Sequence, residues 1–413
     1  MVNLPNGWKY TRLNTLFTRL TRKNTEGNKN VLTISAQYGL INQEEFFKKS
    51  IASEDKSNYF LLKQGDFAYN KSYSSGYPFG VVKTLEKYEK GIVSPLYICF
   101  ERTKENKCPE FYMHYFEAGF ADKELRAIAQ EGARNHGLLN ISTEDFFNMP
   151  ILLPPLAEQQ KIAQILTKQD ELISLKEKLL EQKQQQKKWL MQKLLEVPHE
   201  NSECAKNFSI GGVVINKSGW KQCRLAEIAT GFTYGMNSAA KTFDGSNKYI
   251  RITDIDDESH KFKKDNFVSP SGLLEDKYLV MKNDILFART GASTGKSYLY
   301  DENDGKLYYA GFLIRVHLEN VNPYCIYSQT LTSRYQNWLQ IMSVRSGQPG
   351  INAEEYKNFP IVLPTLSEQK IIAQVLSAAD KEIDLLKQEI EFQKQKKKAL
   401  AQQLLSGKAR VKT

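Results

Sequence analysis

The segment that most resembles a catalytic motif is the loop Gly-Ala-Ser-Thr-Gly-Lys-Ser at residues 291–297. A phosphate-binding P-loop needs four residues between its two glycines, so that backbone N–H groups can surround the phosphates. Here three residues separate Gly291 from Gly295, and Thr290 stands where the first glycine should fall. The shortened loop lacks that cradle, which argues against nucleotide hydrolysis.

Several other signatures of catalysis and metal binding are missing. There is no DPPY or NPPF signature of an adenine methyltransferase, no GxGxxG and no HExxH. The five cysteines are odd in number and form no CxxC pair, which indicates neither a disulfide framework nor a zinc site. We therefore expect no metal, no cofactor and no catalysis by this chain alone.

Polar loops offer a different chemistry. Asn, Arg, Lys, Ser and Thr on loops are the residue types that hydrogen-bond base edges and phosphates. The candidates for DNA binding are Asn70, Lys71, Ser72, Tyr73, Arg134, Asn135, Arg289, Thr290, Ser293, Thr294, Lys296, Arg345 and Gln348. We predict phosphate contacts for Lys71 and Lys296, and base contacts for Asn70 and Arg289. Ordinary exposed loops would have the same composition, and this alternative stays open.

The charge balance favours a polyanionic partner. Lys plus Arg number 57 against 47 Asp plus Glu, a formal net charge of +10. A soluble protein that is merely basic is the alternative. No apolar run is long enough to cross a bilayer, and the polar N-terminus lacks the apolar segment of a signal peptide. We expect a soluble, cytoplasmic protein.

The chain contains a repeat. Residues 153–166 (LPPLAEQQKIAQIL) match residues 363–376 (LPTLSEQKIIAQVL) at 9 of 14 positions without a gap. A second echo pairs Gly7-Trp8-Lys9 with Gly219-Trp220-Lys221. Two copies of one unit predict a molecule with two equivalent ends.

Each copy predicts one long helix. Apolar residues recur at heptad spacing, which is typical of a helix lying against another helix. Ile165, Leu172 and Leu179 widen the stripe in the first copy. The predicted packing positions are Leu166, Ile173, Leu180, Leu194, Leu376, Ile383, Ile390 and Leu404.

The pairing of the two helices is open at this point. A coiled coil between two chains is one possibility, whereas the internal repeat favours an antiparallel pair within one chain. The stretches at residues 182–188 (QKQQQKK) and 393–398 (QKQKKK) interrupt the apolar stripe. They indicate a solvated helical face, or alternatively a contact with DNA phosphates or an acidic partner.

The domain boundaries follow from these patterns. We predict globular units at residues 1–152 and 219–362, long helices at 153–197 and 363–407, a linker at 198–218 and a basic tail at 408–413. Each unit combines predicted strands, such as residues 278–281, with helical pieces near residues 109–120 and 323–341. The fold class is α+β, with two pseudo-repeated globular units separated by an antiparallel two-helix coiled coil.

The whole chain resembles the specificity subunits of type I restriction–modification systems. The likeness is carried by the two Leu-Pro-x-Leu-x-Glu-Gln helix openings at residues 153–159 and 363–369, each followed by a heptad helix. The strand at residues 249–254 and the loop at residues 289–292 are also similar to those of the family's target-recognition domains.

The resemblance implies a function. Each target-recognition domain would read one half of a split, asymmetric DNA sequence, and the helices would set the spacer. Two modification subunits that bind S-adenosylmethionine and methylate adenine would dock on this chain, and restriction subunits would complete the complex. Two alternatives are a coiled-coil adaptor without a DNA role and a self-sufficient DNA-modifying enzyme.

Overall fold

The computed structural model describes residues 4–35, 38–47, 55–72, 76–129, 139–195, 207–210, 212–343 and 350–412. The chain forms two compact units. The first unit is Met1–Lys178 with Gln388–Thr413, and the second is Leu179–Lys387. Each unit therefore includes a segment of both long helices.

The first half of the chain begins with short strands and ends in a long helix. Its elements are β1 (Lys9–Arg12), α1 (Leu13–Leu16), β2 (Phe17–Arg19), β3 (Leu32–Ser35), β4 (Gly39–Asn42), α2 (Gln43–Phe47), β5 (Phe60–Lys63), β6 (Phe67–Asn70), β7 (Val81–Thr84), β8 (Lys90–Val93), β9 (Ile98–Arg102), α3 (Pro109–Glu117), α4 (Asp122–Ile128), α5 (Thr143–Asn148), β10 (Pro150–Leu153) and α6 (Leu156–Leu195).

The second half follows the same plan with an additional hairpin at its start. Its elements are β11 (Asn207–Ile210), β12 (Val213–Asn216), β13 (Lys221–Arg224), β14 (Ala229–Tyr234), β15 (Ala240–Thr242), β16 (Lys248–Ile250), β17 (Val268–Pro270), β18 (Asp284–Ala288), β19 (Ser297–Leu299), β20 (Leu307–Tyr309), β21 (Leu313–Leu318), α7 (Pro323–Gln329), α8 (Ser333–Ser343), α9 (Ala353–Lys357), β22 (Pro360–Leu363) and α10 (Leu366–Leu405).

Both units are built on the same four-stranded antiparallel sheet. The strand order is β2-β9-β6-β7 in the first unit and β14-β21-β18-β19 in the second. One face of each sheet carries an aromatic core, where Phe67 stacks on Phe100 and Phe287 packs on Tyr356. The predicted fold class, α+β with pseudo-repeated globular units and a long helix in each copy, is confirmed.

A short ribbon in each unit brings its first strand to the start of its long helix. β1 pairs with β10, and β13 pairs with β22 in the same register. The indole Nε1 of Trp8 donates a hydrogen bond of 3.1 Å to Glu158, and Trp220 donates one of 3.1 Å to Glu368. The two repeated sequence elements therefore meet in the structure. We call the hydrogen bond between the tryptophan before the first strand and the glutamate in the first turn of the long helix the Trp–Glu joint.

The glutamine that follows each glutamate completes the helix opening. Gln159 Nε2 donates to the carbonyl of Pro154 at 2.9 Å, and Gln369 Nε2 donates to that of Pro364 at 2.8 Å. Both glutamine side chains are buried. A buried carbonyl without a donor is costly, so glutamine suits this position better than an apolar residue.

The helix segments within each unit run antiparallel. In the first unit Nζ of Lys397 lies 2.5 Å from Oδ1 of Asp170, and in the second unit Lys187 forms an ion pair with Asp380. Each residue of one pair lies 210 positions from its counterpart in the other. These lysines occupy the heptad step that interrupts the apolar stripe, so the repeat conserves a charged contact there as well as apolar ones.

The predicted packing positions are largely buried. Leu180 is half-buried, and the fully buried members are Leu166, Ile173, Leu194, Leu376, Ile383, Ile390 and Leu404. The prediction that Leu172 and Leu179 widen the packing face was wrong, because both side chains are exposed. Among the described residues, no helix is long and apolar enough to pass through a membrane.

One prediction of local structure was wrong. The expected strand at residues 278–281 is a 3₁₀ turn followed by a single bridge between Leu279 and Tyr308. The helical pieces predicted near residues 323–341 are present as α7 and α8, which the turn around Thr330 separates. Short β-rich runs are ambiguous because tertiary packing decides between extended and turn conformations.

The helix face supplies a stability prediction. Leu166→Ala should lower the free energy of unfolding by about 2–5 kcal/mol, because the side chain is fully buried and its loss leaves a cavity. Leu175→Ala, on the same helix but 65% exposed, should change it by about 0.5 kcal/mol or less. Urea unfolding of both variants checks this, and equal losses would contradict the assigned packing face.

Candidate nucleic-acid interface

The predicted polar loops begin at equivalent places in the two sheets. Asp66, just before β6, accepts a hydrogen bond of 2.7 Å from the backbone N–H of Lys63. Asp284, at the start of β18, accepts one of 2.7 Å from Met281. Burial raises the pKa of both carboxyl groups. Counting from these aspartates, Lys71 in the first unit corresponds to Arg289 in the second.

Backbone contacts support this equivalence. The carbonyl of Lys71 accepts a hydrogen bond of 2.9 Å from the N–H of Leu139, and the carbonyl of Arg289 accepts one of 2.9 Å from Ile351. In both units the donor stands a few residues before the helix that leads into the Trp–Glu joint. The same frame therefore presents a lysine in one unit and an arginine in the other.

The P-loop-like segment is a hairpin connection. It joins the antiparallel strands β18 and β19, whereas a P-loop leads from a strand into a helix. Gly295 closes the turn through its N–H to the carbonyl of Ala288 at 2.8 Å. Its φ is +87°, and an added Cβ would lie 2.2 Å from Leu339. Glycine is required there by backbone conformation and packing.

The same residues also read G-x-S-x-G, the letters of a hydrolase nucleophile elbow. In that elbow the serine stands on a sharp turn from a strand to a helix. Ser293 instead closes a short 3₁₀ turn, and the next element is strand β19. The described residues hold no cluster of His, Cys, Asp or Glu that could bind a metal ion. The loop geometry matches neither motif.

Lys296 is engaged inside the second unit. Its Nζ donates to the carbonyl of Ile255 at 3.1 Å and lies 2.5 Å from the carboxylate of Asp257. The Lys296 side chain is only 11% exposed, and its hydrogen bond and charge lower the pKa of Asp257. These two contacts attach the Lys296 side chain to the loop that precedes residue 260.

Arg289 lies against two exposed aromatic rings. Its guanidinium carbon is 4.8 Å from the ring centre of Tyr234 and 5.9 Å from that of Phe312. Its Nε donates to the carbonyl of Gly311 at 3.1 Å. Thr290, which follows it, pairs with Gly350 in an isolated bridge. We call Tyr234, Arg289 and Phe312 the arginine platform.

The remaining candidates divide into two groups. Asn70 accepts a hydrogen bond of 3.1 Å from the N–H of Ser72, and Thr294 Oγ1 donates to the carbonyl of Gly291 at 2.7 Å. Ser293, like these residues, lies at the end of the sheet where the loops begin. The candidates that lie outside the described residues are Tyr73, Arg134, Asn135, Arg345 and Gln348.

Sequence reasoning missed Tyr234 and Phe312. They are far from Arg289 in the chain, and only strand pairing brings the three together: Tyr234 pairs with Ile314, and Ala288 pairs with Leu313. The antiparallel order β14-β21-β18 is the signal that would have placed them at one sheet end.

A sequence profile decides the family. The profile described as the type I restriction modification DNA specificity domain matches residues 5–184 and again residues 217–392. The chain belongs to this family. The two matches follow the repeat, and each includes a Trp–Glu joint, a four-stranded sheet and most of a long helix.

Relatives of known family support the assignment. The chain is 25% identical over 332 residues to the type I restriction enzyme MjaVIII specificity subunit of Methanocaldococcus jannaschii, covering 78% of this chain and 76% of that one. It is 23% identical to the putative MjaX specificity subunit of the same organism, covering 89% and 83%.

Solved structures share the fold. A chain from a study of complex assembly and conformational transition in the type I R-M system aligns with a TM-score of 0.59 at 16% identity, covering 99% of this chain and 100% of that one. The S subunit of a type I restriction–modification system from M. genitalium aligns with a TM-score of 0.57 at 14% identity, covering 98% and 97%.

The different surroundings of two lysines give a prediction. Lys71→Ala should reduce the slope of log affinity for DNA against log salt concentration by about one, as expected for the loss of one phosphate contact. Lys296→Ala should leave that slope nearly unchanged and lower the free energy of unfolding by about 1 kcal/mol, because the partly buried hydrogen bond to the carbonyl of Ile255 is lost. Binding titrations at several salt concentrations, with urea unfolding, check both. A flattened slope for Lys296→Ala would restore it as a phosphate contact.

Proposed function

We propose that this chain is the DNA sequence-specificity subunit of a type I restriction–modification complex and has no catalytic activity of its own. Residues 1–152 and 219–362 act as target-recognition domains, each for one half of a bipartite, asymmetric target. The observation that carries the proposal is that both units share one backbone arrangement but present different side chains at the end of the sheet where the loops begin. Lys71 corresponds to Arg289, and exposed Leu96 corresponds to exposed Phe312.

The equivalence of Leu96 and Phe312 rests on strand register. Phe67, one residue after Asp66, pairs with Phe100, and Ile285, one residue after Asp284, pairs with Val316. Four residues earlier on each partner strand stand Leu96 and Phe312. Side chains that face solvent at equivalent places need not match for folding. Their difference supports two readers with different preferences.

The family assignment supports the choice of partners. The two M. jannaschii relatives are named as specificity subunits of type I restriction enzymes, one of them as putative, and a specificity subunit is by its name one part of an enzyme with other subunits. We assign double-stranded DNA and two methyltransferase subunits as partners, one for each repeated helix opening, with restriction subunits in the full complex. S-adenosylmethionine would be bound by the methyltransferase subunits.

The domains supply the test of this function. Adenine methylation is mapped across the genome of the host, with and without the gene, and again after residues 1–152 are replaced by the equivalent domain of a relative. The gene should be required for a bipartite methylated motif, and the exchange should change one half of the motif only. Methylation by the purified chain alone would identify it as an enzyme. The absence of salt-dependent DNA binding with a methyltransferase present would identify an adaptor, and a change in both halves would contradict independent readers.

The long helices give a second prediction, because both contribute to both units. If their length sets the spacer, one heptad inserted after Lys178 and one after Lys387 should lengthen the preferred spacer. One heptad adds about 10.5 Å of helix, which corresponds to about three base pairs at roughly 3.4 Å each. Both insertions are needed, because one alone would shift the antiparallel register of Lys187 against Asp380.

The measurement is the methylated motif of the double-insertion variant. The half-site sequences should stay the same while the spacer grows. Affinity should fall, since three base pairs rotate the second half-site by roughly 100° at about 10.5 base pairs per turn. An unchanged spacer in a folded variant would show that the helices do not measure it.

A further inference from the structure

The backbone under the arginine platform of the second unit is held by close packing and by hydrogen bonds between two chain segments. The chain around Gly235 approaches the strand connection at residues 310–312 so closely that an added Cβ would lie 2.3 Å from the carbonyl oxygen of Ala310. The N–H of Met236 donates to Tyr309 at 2.8 Å, and the N–H of Gly311 donates back to Met236 at 2.9 Å. These bonds fix the backbone that carries both aromatic rings.

The rings themselves are also restrained. The hydroxyl of Tyr234 accepts a hydrogen bond of 3.2 Å from the N–H of Ala353, at the start of α9. Yet Tyr234 and Phe312 remain 44% and 56% exposed. Two aromatic rings held on a fixed backbone beside a guanidinium form a preformed contact surface with both apolar and cationic character. They suit a surface that another molecule covers.

Arg289 is oriented by this surface. Its guanidinium lies near both rings, and its Nε is held by the carbonyl of Gly311. Within the described part of the chain, its two terminal nitrogens donate no hydrogen bond. A guanidinium whose plane is fixed, and whose terminal nitrogens have no partner among the described residues, is prepared for two parallel hydrogen bonds to one planar acceptor pair.

We propose that Arg289, positioned by Tyr234 and Phe312, is the residue through which the second unit binds a pair of acceptors on its DNA half-site. This inference rests on the proposed function and names the site within it. Two parts of DNA offer such a pair, the O6 and N7 atoms of guanine in the major groove and the oxygens of a phosphate. The first unit has Lys71 at the equivalent position, a point charge that cannot make the forked contact.

The experiment uses the full chain bound to the methyltransferase that copurifies with it, and duplexes carrying the methylated motif. Each base pair of the two half-sites is changed in turn, and binding is measured at several salt concentrations for Arg289→Ala, Arg289→Lys and Phe312→Leu. Thermal unfolding verifies that each variant is folded. Leu96→Ala, at the equivalent exposed position of the other unit, is the matched control.

A guanine contact predicts that Arg289→Ala and Arg289→Lys both lose about tenfold to hundredfold in discrimination at one G·C pair of the second half-site only. Phe312→Leu should lose part of that discrimination, because it removes a ring that orients the guanidinium. A phosphate contact predicts that Arg289→Ala weakens binding to all duplexes and lowers the salt slope by about one, while Arg289→Lys retains most of it. Leu96→Ala should leave the second half-site unaffected in both cases.

The inference is overturned if folded Arg289 and Phe312 variants bind every duplex as the wild type does, with the same salt slope. Loss of thermal stability without either change in DNA binding would also overturn it and leave a purely structural role. In both results the proposed function stands, because the wild-type complex reads its motif. Failure of the wild-type complex to prefer any motif would overturn the proposed function and this inference together.

Discussion

The structure depends on the Trp–Glu joint, the hydrogen bond that ties the beginning of each unit to the first turn of its long helix. Glu158 is only 3% exposed, and a carboxylate in that position needs charged or polar donors. In the first unit the donors are Trp8 and Arg410, whose Nε and Nη2 lie 2.8 and 2.9 Å from the carboxylate. The C-terminal tail thus completes the unit that the N-terminus begins.

The second unit satisfies its glutamate differently. Glu368 accepts from Trp220 and also from the N–H and hydroxyl of Thr365, at 3.0 and 2.7 Å, in a capping box. The first unit has Pro155 at the position of Thr365, which can offer neither donor. Arg410 therefore performs in one copy what a local cap performs in the other. The repeat conserves the requirement for donors and varies their source.

The repeated aspartates connect the helices to the globular bodies. Asp380 accepts from the hydroxyl of Tyr324 on α7 as well as pairing with Lys187. Asp170 lies 3.7 Å from His114 on α3, but burial lowers the pKa of that histidine to about 4. His114 is therefore neutral near pH 7, and its firm contact is the hydrogen bond of 3.0 Å with Thr167. The attachment of α3 to α6 is a neutral one.

The sequence was informative where one helix or one loop determines the structure. Heptad positions such as Leu166 and Leu376 were predictable because burial follows helical periodicity. Leu172 was mistaken because the partner helix covers a narrower face than the apolar residues span. The arginine platform could not be predicted from the sequence, because its three residues lie far apart in the chain and only the pairing of three strands brings them together.

The helix lysines show how net charge becomes useful or is neutralised. Lys183, in the first glutamine- and lysine-rich stretch, pairs with Glu382 at 2.7 Å, and Lys394, in the second, pairs with Glu177 at 2.7 Å. Ion pairs of this kind largely cancel the field that each lysine would project toward a polyanion. At Lys183 and Lys394 these stretches therefore stabilise the pairing of the two helices. The cationic groups that best suit DNA are those fixed at the loop end of a sheet whose terminal donors have no partner in the described parts of the chain, which is the situation of Arg289 and not of Lys296.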